Sequence, residues 1–184
     1  MILIRPAQGD DAAAIAQVHV DAWHAALDAY VPAPMRDSVE IDRYGHMWQS
    51  LLGPHWASHT TLVATEDGGA VIGFATAGKE TASIPGFDCE LHTLYIAPRF
   101  QRRNIGCRLF HDLATRMCGA GCGSMAASVI DTPQARGFFR ATGGDLAGSQ
   151  PLPATIGAMA GEQEPVMDLF TWQPLRPQQL ETKI

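Results

Sequence analysis

One segment limits the possible folds more than any other: C-E-L-H-T-L-Y-I-A-P-R-F-Q-R-R-N-I-G-C-R-L-F-H-D-L, from Cys89 to Leu113. Glu90 to Ile96 is a β-type run, and Pro98 stops it. Ile105, Leu109, Leu113 and Met117 recur at four-residue steps, so the spacing predicts an amphipathic helix over Ile105–Cys118. The short loop between them brings its own N–H groups and those of the helix N-terminus to one place. Such an end attracts anions, because its first N–H groups lack partners and the helix dipole is positive there. Asn104 and Gly106 are residue types that allow positive φ or close backbone approach. Arg99, Arg102, Arg103 and Arg108 add charge suited to phosphates. Taken alone, the same loop also reads as an ordinary strand–helix turn carrying solvated charges.

The flanking sequence tells what this unit packs into. Ile2-Leu3-Ile4 can open a sheet, and Asp10 or Asp11 can cap a helix through about Leu27. Pro32 and Pro34 end that helix, and a second one is expected from Ser38 to Leu52. Thr60 to Thr65 and Ala70 to Ala77 read as strands. Glu66-Asp67-Gly68-Gly69 between them reads as a hairpin turn, since Asp-Gly and Gly-Gly tolerate positive φ. Ser124 to Ile130 reads as a strand and Thr132 to Thr142 as a helix, with Pro133 at its first position. Pro165 to Trp172 is the last strand, while the Gly/Pro-rich stretch from Gly143 to Glu164 yields no strand that pattern alone can place. A hairpin inside a strand–helix alternation makes a mixed sheet with helices packed on it, an α/β or α+β layer.

Composition narrows the functional classes. A chain of 184 residues with 46% apolar and 17% charged residues suits one domain, expected over residues 1–175 with a tail over 176–184. No apolar run reaches the roughly 18 residues of a membrane span. Met1 to Arg5 runs straight into a strand pattern without the order of a secretory signal, so a cytoplasmic setting is expected. Cys118 and Cys122 lack a second Cys/His pair, so no metal site is expected. The net charge of −6 argues against a nucleic-acid partner, and a local basic cluster on an acidic chain suggests a small anionic ligand instead.

Glu90 through Pro98, followed by Gln101-Arg102-Arg103-Asn104-Ile105-Gly106, resembles the fourth strand and pyrophosphate loop of the GNAT N-acetyltransferases, which reads Q/R-x-x-G-x-G/A. Gln101 and Gly106 match, and Asn104 stands at the family's first glycine. Val20 to Pro32, Leu62 to Ala77 and Val129 to Gly143 resemble further family segments in the same order. The resemblance implies a mixed sheet of about six to seven strands flanked by about four helices. It implies acetyl-CoA as acyl donor, attacked directly by a small-molecule or peptide amine in a ternary complex. Donor binding falls to Leu94, Tyr95, Ile96, Gln101, Arg102, Arg103, Asn104, Ile105, Gly106, Cys107, Arg108, Thr132 and Phe139. A strand N–H near Ile96 would stabilise the oxyanion.

Glu90 stands where many members carry the glutamate that deprotonates the amine, and His92, two residues on, could share that role. Cys107 would sit at a helix N-terminus, where a thiolate is favoured, or serve as a small residue beside phosphate. Trp23 and Tyr30 are candidates to line the acceptor pocket, or core residues. Arg136 and Arg140, one helical turn apart, face solvent or reach the adenosine 3′-phosphate. The main departure is Phe139, at the position of the family's proton-donating tyrosine, and Thr132 replaces its upstream Asn. Two expectations follow: an N-acetyltransferase, or a CoA-binding protein with little turnover. A tRNA-modifying toxin of similar fold is disfavoured by the acidic balance and the missing tyrosine. The sequence leaves the acceptor and the oligomeric state open, a homodimer included.

Overall fold

The computed structural model describes residues 1–53, 59–79, 84–152 and 165–176. The elements run β1 (Leu3–Pro6), α1 (Ala12–Leu27), α2 (Ala33–Asp37), α3 (Ile41–Leu51), β2 (His59–Thr65), β3 (Val71–Gly78), β4 (Cys89–Ile96), α4 (Ile105–Gly119), β5 (Met125–Ile130), α5 (Pro133–Ala141), β6 (Asp145–Pro151) and β7 (Val166–Trp172). The strands form one mixed sheet in the order β1-β2-β3-β4-β5-β7-β6. Every pairing is antiparallel except β4 with β5, where α4 supplies the crossover that a parallel pair requires.

Alternation along the strands sends side chains into two layers. Val63 and Phe74 face α1 and α3, where Ile15 and Trp48 are buried with them. Leu62, Ala64 and Ala75 face α4, whose Ile105, Leu109, Leu113 and Met117 are all buried, as the four-residue spacing predicts. The expected hairpin turn is present: Gly68 and Gly69 have φ of 97° and 87°, and Glu66 N–H donates to Ala70 O at 3.0 Å.

Two expectations need correction, and a strand that pattern left unplaced finds its place. Pro32 and Pro34 do not simply stop a helix; Pro32 is the extended residue that starts α2, and a proline is tolerated in a first turn. Asp11 does not cap α1 directly. It accepts from Gln8 N–H at 2.7 Å and takes a two-pronged bond from Arg5 at 2.7 and 2.8 Å, fixing the turn before the helix. The stretch after Gly143 contains β6, whose seven residues are all exposed and therefore carry no inside–outside pattern; only pairing with β7 defines it. The remainder of that stretch, from 153 to 164, and the expected tail from 177 onward lie outside the described residues.

The feature that positions the site is where β4 and β5 part. They pair at Cys89↔Met125 and Glu90↔Ala126 and nowhere beyond. β5 continues alongside β7 to Ile130, while β4 continues alongside β3 to Ile96, with a register shift near His92. Such a shift adds twist and helps the strands diverge. The vertex is riveted by Asp88, which accepts from Gly123 N–H, Ser124 N–H and Ser124 Oγ at 2.8, 2.9 and 3.1 Å. The bond from Gly123, with those from Ser124, holds its carboxyl below the usual range.

Candidate active site

The opening between β4 and β5 is a cleft of about 640 Å³. Its first wall is the free edge of β4. Ala97 N–H donates to Ile72 O at 2.9 Å. Main-chain bonding alternates along an antiparallel strand, so Tyr95 and Thr93 turn their N–H and C=O toward β3. Leu94 and Ile96 turn theirs the other way, into the cleft. Gln101 Nε2 donates to Ile96 O at 3.1 Å from that side.

The loop after β4 carries the geometry of an anion site. Arg102 and Asn104 both have φ of 61°, the left-handed region, with Arg103 between them. This alternation curls successive N–H groups to one side. Asparagine adopts it readily, whereas for arginine it costs about 1 kcal/mol or more. The loop delivers those groups beside the N-terminus of α4, a helix of 15 residues. Gly106 has no positive φ; its need is room. A Cβ there would lie 3.0 Å from Phe138 Cε2 and 3.6 Å from Leu94 Cδ2. The missing side chain lets the ring of α5 approach the start of α4.

Of the residues expected to hold the donor, the cleft brings together Leu94, Tyr95, Ile96, Gln101, Arg102, Asn104, Ile105, Gly106, Cys107, Thr132 and Phe139. Arg103 and Arg108 are placed elsewhere. Arg103 packs its guanidinium 5.2 Å from the Phe100 ring centre, and Arg108 donates to Ile2 O at 3.1 Å. Cys107 is half-buried, and desolvation pushes its thiol up, against the thiolate its helix position suggests. Tyr95 sends its ring toward α1, stacked 4.9 Å from His19. Burial, helped by Tyr44, pushes the Tyr95 phenol up. Burial also lowers His19 to about 4, and Trp48 Nε1–H donates to its Nδ1 at 3.2 Å, so this imidazole is neutral.

The opposite wall comes from β5 and α5. Thr132 Oγ1 caps α5 by accepting from Ala135 N–H at 3.0 Å. Ser128 is exposed on the same wall. Phe139 is buried, with its ring 5.1 Å from Phe138, 5.3 Å from Phe170 and 5.8 Å from Trp172. Sequence reasoning missed Gln134, whose Nε2 donates to Gln101 Oε1 at 3.2 Å and so links α5 to the loop after β4. A polar residue in the first turn of a helix gives no signal of such a partner.

At the vertex, Glu90 is 7% exposed and sits on the last rung shared with β5. His92 lines the cleft with Nδ1 3.8 Å from Glu90 Oε1. Glu90 is not itself among the residues that line the cleft; His92, which does line it, is the neighbour through which a proton could pass between Glu90 and the cleft. Trp23 is buried on the α1 side of the same cleft.

Tyr30, 44% exposed, lines a second cavity of about 690 Å³ instead. The turn after α1 and the helix α2 form one side of it, and Ile130, Asp131, Arg136 and Val166 the other. Arg136 does not reach for a free phosphate: its Nε lies 2.6 Å from Asp168 Oδ2 and 2.7 Å from Asp131 Oδ1. Asp168 is fully buried. Burial works to raise its pKa, but hydrogen bonds from Arg136 and Ser149 outweigh it and hold the carboxyl below the usual range.

Comparison with known proteins agrees with this geometry. The family model described as "Acetyltransferase (GNAT) family" matches residues 12–143. An uncharacterized N-acetyltransferase, YuaI of Bacillus subtilis (strain 168), is 28% identical over 141 residues, covering 77% of this chain and 79% of YuaI. PaiA N-acetyltransferase of Thermoplasma acidophilum, solved in complex with coenzyme A, has a TM-score of 0.70 at 17% identity, covering 91% of this chain and 98% of that one. YncA of Salmonella typhimurium, solved with its cofactor acetyl-CoA, has a TM-score of 0.69 at 20% identity, covering 100% and 99%. These two likenesses concern the fold, and the family match spans both halves of the cleft: the chain belongs to the GNAT acetyltransferase family.

Proposed function

We propose that this protein is an N-acyltransferase that moves an acetyl group from acetyl-CoA to a primary amine of a small molecule or peptide, by direct attack within a ternary complex. It would act as a single domain over 1–175 in the cytoplasm, a setting consistent with four free cysteines. One observation carries the reading. The β4 edge, with Leu94 and Ile96 main-chain groups turned outward, is followed, after one 3-10 turn at Pro98–Phe100, by a left-handed loop at the N-terminus of α4. An extended amide-bearing arm ending in a pyrophosphate needs those two things in that order. The residues present therefore fit the group.

When bound, acetyl-CoA supplies a thioester carbonyl open to attack. The chain does the rest. Leu94 and Ile96 offer main-chain pairing to the arm, and the N–H at Ile96 can donate to the oxygen on which charge develops. The loop amides and Arg102 hold the phosphates. Glu90, with His92 beside it, takes the proton that an ammonium must lose before it can attack.

A second reading has its own observation. Phe139 offers no proton to the departing sulfur and is packed among three rings, which suits a CoA-binding protein with little turnover. Two measurements on the full chain test these readings. Millimolar acetyl-CoA is expected to raise Tm by several degrees, since a ligand at a hundredfold excess over Kd adds about 2.7 kcal/mol. Free thiol is expected to appear when acetyl-CoA meets an amine panel. A shift without thiol selects the binding reading. No shift and no heat of binding would sink both.

A further inference from the structure

The second cavity has a use that follows from counting its charges. Among the described residues, three charged side chains line it: Arg36, Asp131 and Arg136. Arg136 is spoken for, because its guanidinium meets Asp131 and the buried Asp168, and Asp168 is held in turn by Ser149 Oγ. Asp131 is balanced by the same contact. Arg36 differs. It is half-buried at the end of α2, and it meets no carboxylate among the described residues. Its bond is NH1 to Asp28 O at 3.1 Å, a main-chain oxygen. The Asp28 carboxylate itself turns to His24 Nδ1 at 2.8 Å. A guanidinium has five N–H donors in a planar fork, so most of this one's capacity remains for a planar anion.

The cavity adjoins the cleft on two elements. Ile130 and Pro133 line both spaces. On α1, Ala26 and Leu27 line the cleft, while Ala29 and Tyr30, just beyond, line the cavity. A molecule lying across the join would present one end toward His92 and Glu90 and the other toward Arg36.

Resting on the acyltransferase reading, we propose that the acceptor is an amine that carries a carboxylate at its far end, an ω-amino acid or a short peptide, and that Arg36 is the residue that selects it. The cationic fork takes the carboxylate, and the amine points into the cleft. Arg36 positions the acceptor and takes no part in proton transfer.

The probes are ω-amino acids of increasing chain length and the matching ω-amino amides, which keep the amine and lose the charge. Calorimetric binding and acyl transfer are measured on the full chain, for wild type, Arg36→Gln and Arg36→Lys. Acids are expected to bind and react better than their amides. Arg36→Gln should raise Kd and KM for the best acid by about 10- to 100-fold, the worth of a charge-assisted bond, with kcat nearly kept. The same change should leave the amide's constants as they are, and Arg36→Lys should recover part of the loss. Equal handling of acid and amide by wild type, or an equal loss for both in Arg36→Gln, overturns the assignment. Selective binding of acids without transfer would break the acyltransferase reading and leave the Arg36 site standing. Absence of acid binding by a protein that acylates other amines overturns Arg36 alone.

Discussion

The two halves of the opening are built in opposite ways. The half proposed for the donor is largely local: β4, the loop and α4 follow one another, and its left-handed residues are Arg102 and Asn104. The half proposed for the acceptor is assembled from the turn after α1, α2, the end of β5, α5 and the start of β7. Its charges are settled by contacts such as Arg136 with Asp168, 32 residues apart. A site made of consecutive residues can be recognised from their types and spacing. A site made of distant ones acquires its chemistry from pairings that spacing does not reveal. The same division predicts how damage spreads: a change at the vertex or acceptor side should spare donor binding, and a change in the loop should strike it first.

The largest effect is expected at Glu90. Glu90→Gln should lower kcat on a reactive amine by about 10- to 1000-fold, at or a little below the usual range for a lost base. Acetyl-CoA affinity and Tm should stay close to wild type. The loss should shrink at high pH, where the amine is already free of its proton. An equal loss at every pH would assign Glu90 a structural role at the β4–β5 rung. A matching loss of donor affinity would show that the halves are not separable at the vertex.

What was legible follows the same line. The amphipathic spacing of Ile105, Leu109, Leu113 and Met117 places α4, because helix burial repeats along a local chain. Asn104 has the positive φ that its residue type permits. The roles of Arg108 and Arg36 were not legible. Arg108 sits within the basic cluster but is drawn to a carbonyl 106 residues away. Arg36 follows two prolines that read as a helix stop, so its segment gave no hint of facing a cavity. β6 escaped for a different reason: with both faces exposed, its residues are under no burial constraint that would leave a period.

A smaller effect tests the donor half. Gly106→Val should weaken acetyl-CoA binding by at least about tenfold, or 1.4 kcal/mol, while the protein remains folded. The branched side chain would meet Phe138, already 3.0 Å from a bare Cβ, and push the ring of α5 off the loop. Binding titrations read the affinity, and Tm checks the fold. Gly106→Ala should lie between the two, since a ring edge can retreat a few tenths of an ångström. Unchanged affinity in the Val variant would show that Phe138 yields without disturbing the loop, and the phosphates would then lie elsewhere.

The smallest expected effect is a gain, and it falls where the two halves meet. Phe139 stands on the cleft wall, where the sequence resemblance sets the family's proton-donating tyrosine, and its ring offers no donor. A thiolate is a tolerable leaving group, because a thiol titrates not far above neutral pH. The missing acid should therefore slow the reaction without forbidding it. Phe139→Tyr adds one oxygen at nearly constant ring volume. With the ring packed against Phe138, Phe170 and Trp172, the new hydroxyl must emerge toward the cleft to avoid burial without a partner. The variant should fold normally and gain several-fold in kcat, at most about the 10²-fold low end for a positioned acid. The gain should vanish with acyl donors whose leaving group needs no proton. If a native hydroxyl already serves, the variant will show no gain and removing that hydroxyl will cost activity. Ser128→Ala is the cleaner of the two removals, because Ser128 is exposed on the wall. Thr132→Val also deletes the cap of α5, worth about 1 kcal/mol, and would lower Tm whatever its role at the sulfur. Loss of acetyl-CoA affinity in Phe139→Tyr would mean that the pocket is closed around the phenyl ring, and would favour the binding protein over the enzyme.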